Sequence, residues 1–278
     1  VAKLSIIAQN YFARGLICKS NNLSLYLAAS LQDEITVGYC VVYSYEKILP
    51  QKSQLTFEFT AIIVDEGQDF EQKEINDLKQ LIPDDGIFYI FQDSNQKISK
   101  NANRCALQVN PTVLNKNCRN THKIFKHAEK FVSCIYERKS SLIEGREVIN
   151  RIYEETGEIF SLLEKDITDL VNKENVSPAQ IVILTDMYPS SKSLLSQYSH
   201  IDRFYLKPYS FSDKAQNTIH WSNIGMYKGL ESDVIVLFFE KEKNLILSNW
   251  DIADRYVGAT RAKSLLVIYE PPDRDIDF

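Results

Sequence analysis

Ile62-Ile63-Val64-Asp65-Glu66-Gly67-Gln68-Asp69-Phe70 decides how this chain is read. An apolar, β-branched run suits the interior of a parallel sheet, where both faces of each strand are covered. Here the run ends in two adjacent carboxylates, at the strand end where open α/β sheets hold their ligands. One carboxylate in that position can hold Mg²⁺ while its neighbour polarises an attacking water. A plainer reading also fits, in which Asp65 or Asp69 caps a helix expected over Glu71 to Leu81. The segment alone leaves both open.

Outward from this strand the chain alternates. Before it we expect a helix over Val1 to Arg14 ended by Gly15, a strand at Leu16-Ile17-Cys18, a helix from Leu23 to Leu31 and a strand from Ile35 to Tyr43. After it come the helix to Leu81 and a strand from Ile87 to Phe91. The alternation restarts near Val109-Asn110-Pro111, which predicts two domains, 1–110 and 111–278. In the second we expect helices over Asn120 to Val132, Glu158 to Val171, Ser190 to Tyr198 and Trp250 to Ala262. Its strands fall near Val148 to Tyr153, Ile181 to Leu184, Phe204 to Leu206, Thr218 to Ile224, Val234 to Phe239 and Leu265 to Tyr269. Short apolar strands alternating with helices predict an α/β fold with mainly parallel, doubly wound sheets.

The chain has 278 residues, 25% charged and 44% apolar, which is ordinary globular composition with no signature of disorder. No apolar run reaches the length of a bilayer span and no signal peptide opens the sequence, so a cytoplasmic protein with no membrane partner is expected. The five cysteines are scattered singly, without zinc spacing, and read as reduced thiols. The formal net charge of −5 argues against a surface that coats nucleic acid throughout. One segment runs the other way: Lys97, Lys100, Arg104, Lys116, Arg119, Lys123, Lys126, Lys130, Arg138 and Lys139 face only Glu129 and Glu137. A solvated helix face and an anion-facing surface both fit this run.

Four further segments fall at strand ends or loops: Asp93 and Gln96 after one strand, Asn117-Cys118-Arg119-Asn120 before a helix, Lys228-Gly229-Leu230-Glu231 before a strand, and Thr260-Arg261-Ala262-Lys263. Each alone is ordinary turn chemistry. In this order they resemble the motifs of superfamily 1 helicases of the UvrD/Rep type, most closely the compact UvrD-like form often joined to a nuclease-related (NERD) domain. The resemblance runs over essentially the whole chain.

It implies two RecA-like (P-loop NTPase) domains, the first truncated at its N-terminus, with ATP and Mg²⁺ as cofactors and single-stranded or partly duplex DNA as partner. A fused nuclease-related domain upstream is a further implied partner. By position, Asp65 would hold Mg²⁺ and Glu66, beside the same metal, would activate the attacking water. Gln96 would sense the γ-phosphate, Arg119 and Arg261 would reach it from the second domain, and Gly229 and Glu231 would lie near the ribose. A loose, anionic phosphoryl transition state needs positive charge more than covalent help, and one arginine can supply ~10³–10⁵ in rate. For DNA, the resemblance points to Ser20 and Asn21, and to Tyr43 and Ser44. Trp221 and Tyr227 are stacking candidates, although aromatics near strands are also common in cores.

The phosphate-binding Gly-x-x-x-x-Gly-Lys-Ser/Thr loop occurs nowhere in the sequence. We therefore expect a fragment, with a gap in the first sheet where the strand leading into that loop would lie. Such a chain should bind ATP poorly. Cys118, Gln92 and Gly225 also depart from the usual residues of their motifs. Two rivals stand beside the motor: a degenerate, non-hydrolysing nucleic-acid-binding or docking module, and a metal-dependent nuclease using Asp65 and Glu66.

Overall fold

The computed structural model describes residues 14–36, 38, 40–48, 59–93, 111–132, 139–140, 143–154, 156–188, 190–211, 215–240 and 249–272. The chain divides into two compact units, Val1–Thr112 and Val113–Phe278.

In the first unit, strands β1 (Arg14–Cys18), β2 (Val41–Ser44), β3 (Ala61–Val64) and β4 (Ile87–Ile90) pair in the order β2-β1-β3-β4, all parallel. Side chains alternate along each strand, and the apolar set divides accordingly between two faces. Ile17, Ile62 and Val64 pack with Phe70, Ile75 and Leu78 on one face. Leu16, Cys18 and Ile63 pack with Leu23, Leu27 and Leu31 on the other. The helices Gln72–Lys79 and Asn21–Ser30 thus cover opposite faces. Each fully buried Leu, Ile or Val contributes roughly 1.5–3 kcal/mol.

Strands β5 (Ile149–Ile152), β6 (Ile181–Thr185), β7 (His200–Ile201), β8 (Phe204–Pro208), β9 (Thr218–Asn223), β10 (Ser232–Phe238) and β11 (Ala262–Glu270) build the second sheet. Their order is β5-β11-β10-β6-β9-β8-β7, parallel except for the β7–β8 pair. Helix Thr156–Asn172 lays Ile159, Leu163, Ile167 and Leu170 on one face, against Ile183, Val236 and Val267. Helix Asn249–Thr260 packs closely on the other, where a Cβ on Gly258 would lie 2.6 Å from Leu237 Cδ2. Arg151 grips Asp166 through Nε at 2.9 Å and Nη2 at 3.1 Å, and the Tyr269 hydroxyl donates to the same carboxylate at 2.6 Å, fixing the long helix to β5 and β11. Burial pushes the Asp166 carboxyl up, but these donors outweigh it and hold the group below its ordinary range.

Several expectations are corrected. Arg14 and Gly15 belong to β1 and do not end a helix; residues 1–13 lie outside the described set. The strand expected from Ile35 to Tyr43 is a short helix, Gln32–Thr36, followed by β2. Gly38 between them has φ +77°, which no strand residue holds. The helix expected over Ser190 to Tyr198 is two 3₁₀ turns, Ser190–Lys192 and Leu194–Gln197. Ser193 interrupts it: its hydroxyl accepts from Leu195 N–H and donates to Glu240, whose carboxylate also accepts from Leu194 N–H at 2.6 Å. No gap divides the first sheet among the described residues; its open positions are the edges at β2 and β4.

Candidate functional site

At the carboxyl end of the first sheet, Asp65 N–H donates to Ile17 O at 2.9 Å, carrying the ladder one residue past β3. The chain then breaks sharply. Glu66 takes a left-handed conformation, φ 54° and ψ 44°, and opens a 3₁₀ turn over Gly67–Asp69. Gly67 N–H donates to Phe91 O at 2.8 Å, and a Cβ there would come 2.2 Å from Ile90 Cγ2. Only glycine lets the turn close on the end of β4. Asp65 and Glu66 are both half-buried, and Asp65 Oδ1 accepts from Glu66 N–H at 3.1 Å.

Neither Asp65 nor Asp69 caps the following helix. Glu71 is its N-cap, with Glu74 reaching back to accept from Glu71 N–H at 2.8 Å. Capping therefore does not account for the paired carboxylates. Burial, then Asp65, then Glu66 push the Cys18 thiol up to about 12, so both carboxylates act on the end of β1. Lys19 follows Cys18, with Nζ 4.9 Å from the Tyr45 ring centre and 5.3 Å from that of Phe70, and ion-pairs with Glu74.

The DNA candidates of this unit lie at the same sheet end, because the register sets Ile17 beside both Tyr43 and Val64. They are not equivalent. Ser20 caps helix Asn21–Ser30, accepting from Leu23 N–H at 3.4 Å, and Ser44 is buried. Asn21 is exposed and Tyr43 half-buried. Gln96, like Lys97, Lys100, Arg104 and Arg138, lies outside the described residues.

In the second unit three segments far apart in sequence meet at the amino ends of β10 and β11. Arg119 Nε pairs with Glu231 at 2.8 Å, both partly exposed. Gly229, at φ +83°, turns the chain ahead of Glu231. Asn117 Oδ1 accepts from Arg119 N–H at 2.9 Å and Asn120 N–H at 3.0 Å, which closes the loop on itself. Buried Asn120 donates its amide to Thr260 O at 3.1 Å and Ala262 O at 2.5 Å, the carbonyls on either side of Arg261. Arg261 is fully buried, donating to Val257 O at 3.1 Å, Leu230 O at 3.3 Å and Thr260 Oγ1 at 3.1 Å. It braces the segment that carries Glu231, whereas Arg119 offers its guanidinium at the surface.

Trp221 and Tyr227 are corrected. Trp221 lies in the core under helix Thr156–Asn172, and Tyr227 is buried with its hydroxyl donated to Glu231 O at 3.1 Å, so neither presents a ring for stacking. Sequence reasoning missed Gln68, Asn120 and Lys19. An Asn pair three residues apart around an arginine was the one local signal, since such side chains close turns on their own backbone. Partners 25 or 140 residues away leave no local trace.

Neither a family model nor a curated protein matches the sequence. Among the described residues no helix is long and apolar enough to cross a membrane.

Proposed function

We propose that this chain is the core of an ATP-dependent DNA helicase or translocase of superfamily 1, UvrD/Rep type, built on RecA-like units. The observation that carries the reading is the meeting of Arg119, Glu231 and Arg261 within one network in the second unit. Three motifs read separately from the sequence occupy one end of one sheet. That end is the amino edge, opposite to where a parallel sheet holds its own ligand, which suits groups that act on a ligand held elsewhere.

Consecutive half-buried carboxylates at an open strand end are oxygen donors of the kind Mg²⁺ takes one or two at a time, leaving water and phosphate to complete its shell. Asp65 is the residue that would hold it, with Glu66 beside it. Bound Mg²⁺ would neutralise charge developing on the phosphates. Glu66 accepts the proton of the attacking water, and in the second unit Arg119 is the guanidinium that can meet a phosphate. Glu231 holds Arg119 until it is exchanged for phosphate; an exposed pair of this kind is worth only ~0–1 kcal/mol, so the exchange costs little. Residues 1–278 contain no Gly-Lys-Ser/Thr loop, and this segment by itself is expected to bind ATP weakly.

The test is ATP hydrolysis by the full-length gene product with Mg²⁺ and single-stranded DNA. Stimulated turnover should fall ~10²–10⁴-fold in Glu66→Gln, the loss expected for a general base. Equal turnover in that variant removes Glu66 from the chemistry. One observation favours the rival docking module: Arg261 is spent on peptide oxygens. A full-length protein that binds DNA without hydrolysing ATP would decide for it.

A further inference from the structure

Gln68 belongs to no role assigned above, yet its side chain joins two parts of the first unit. Its Nε2 donates to Glu66 Oε2 at 2.5 Å, and its Oε1 accepts from Asp93 N–H at 3.0 Å. The peptide N–H of Asp93 can only donate, so it fixes which end of the amide faces it and turns the NH₂ towards Glu66. The residue is almost fully buried, with 9% of its surface exposed, and its turn is pinned by Gly67 N–H on Phe91 O and by Phe91 N–H on Val64 O at 2.9 Å.

We infer that Gln68 is a positioning residue: it holds the Glu66 carboxylate in one orientation and ties that orientation to the segment leaving β4. The inference rests on the hydrolytic reading above. A glutamate side chain has three rotatable bonds, and a base aimed at water must be held against them; a displacement of about 1 Å can cost ~10²-fold in rate. The link also works in reverse. A change in the bonding of Glu66 during turnover alters the pull of the amide on Asp93.

Two substitutions in the full-length protein separate the two bonds. Gln68→Glu keeps the acceptor for Asp93 N–H and loses the donor to Glu66. Gln68→Met keeps the size and loses both. In DNA-stimulated hydrolysis both should lower kcat by roughly 10–100-fold with KM for ATP little changed. Hydrogen exchange at the Asp93 amide should remain slow in Gln68→Glu and quicken in Gln68→Met. Wild-type kcat in Gln68→Glu would overturn the positioning role. Unchanged Asp93 protection in Gln68→Met would overturn the tie to β4. A wild-type protein without stimulated hydrolysis sinks the functional reading and this role together, whereas active wild type with active variants sinks this role alone.

Discussion

Glu66 occupies a conformation that its residue type resists. Among the described residues the other non-glycines at positive φ are Asn175 and Asp202, whose short polar side chains tolerate the left-handed region; glutamate has no such compensation. The cost for an L-residue is ~1–2 kcal/mol, partly offset for any non-glycine by the lower entropy of its unfolded chain, ~0.4–1 kcal/mol. Comparing Glu66→Gly with Glu66→Ala removes the carboxylate from both and isolates the backbone. Glu66→Gly should be the more stable by roughly 0.5–1 kcal/mol in urea unfolding. Equal midpoints would mean that the turn carries no strain. Strain at this residue fits a carboxylate aimed by the fold, since such conformations persist where surrounding bonds over-determine them. Here those bonds come from Gly67 and Gln68.

The strand β4, Ile87-Phe88-Tyr89-Ile90, has a composition suited to the interior of a parallel sheet, yet it stands at an edge of the described sheet with Tyr89 47% exposed. Ile87 N–H and Phe91 N–H donate to β3 and its flank. Alternate residues direct their N–H groups to opposite sides, so those of Phe88 and Ile90 face away from β3. The motor reading requires a strand leading into a phosphate-binding loop, and this edge is where one can pair. In the full-length protein the Phe88 and Ile90 amides should then exchange slowly with solvent. Exchange at the rate of open amides would leave the edge without that strand. At this scale β3, β6 and the long helix were legible because apolar period and length agreed. The short helix Gln32–Thr36 and the 3₁₀ turns near Ser193 were not, because a positive φ at Gly38 and a distant Glu240 decide them. The two adjacent carboxylates at the end of β3 were legible; the hydrogen bonds of Gln68 and Asn120, made to long-range partners, were not.

For the molecule as a whole, charge sets the terms on which a polyanion can bind. A formal net charge of −5 repels DNA at a distance, but physiological salt screens exposed charges beyond ~8 Å, so a local cluster decides. In the described part of the basic run from Lys97 to Lys139, three side chains are already paired. Lys123 pairs with Glu147 at 2.6 Å and Glu144 at 3.3 Å, Lys126 with Glu129 at 2.8 Å, and Arg119 with Glu231. Lys116 and Lys139 differ: a parallel bridge sets them side by side, Lys139 N–H donating to Asn115 O at 2.7 Å and Asn117 N–H to Lys139 O at 2.8 Å, and both residues are exposed. Two exposed lysines whose backbones are held side by side can neutralise neighbouring phosphates, each neutralised phosphate adding ~0.7 to the salt dependence of single-strand binding. Replacing Lys116 and Lys139 together with alanine should weaken single-stranded DNA binding at low salt and flatten the slope of log K against log salt by ~0.7 for every phosphate left unneutralised. The unfolding midpoint should stay put, because only exposed side-chain ends are removed. An unchanged slope would show that this lysine pair takes no part in DNA binding.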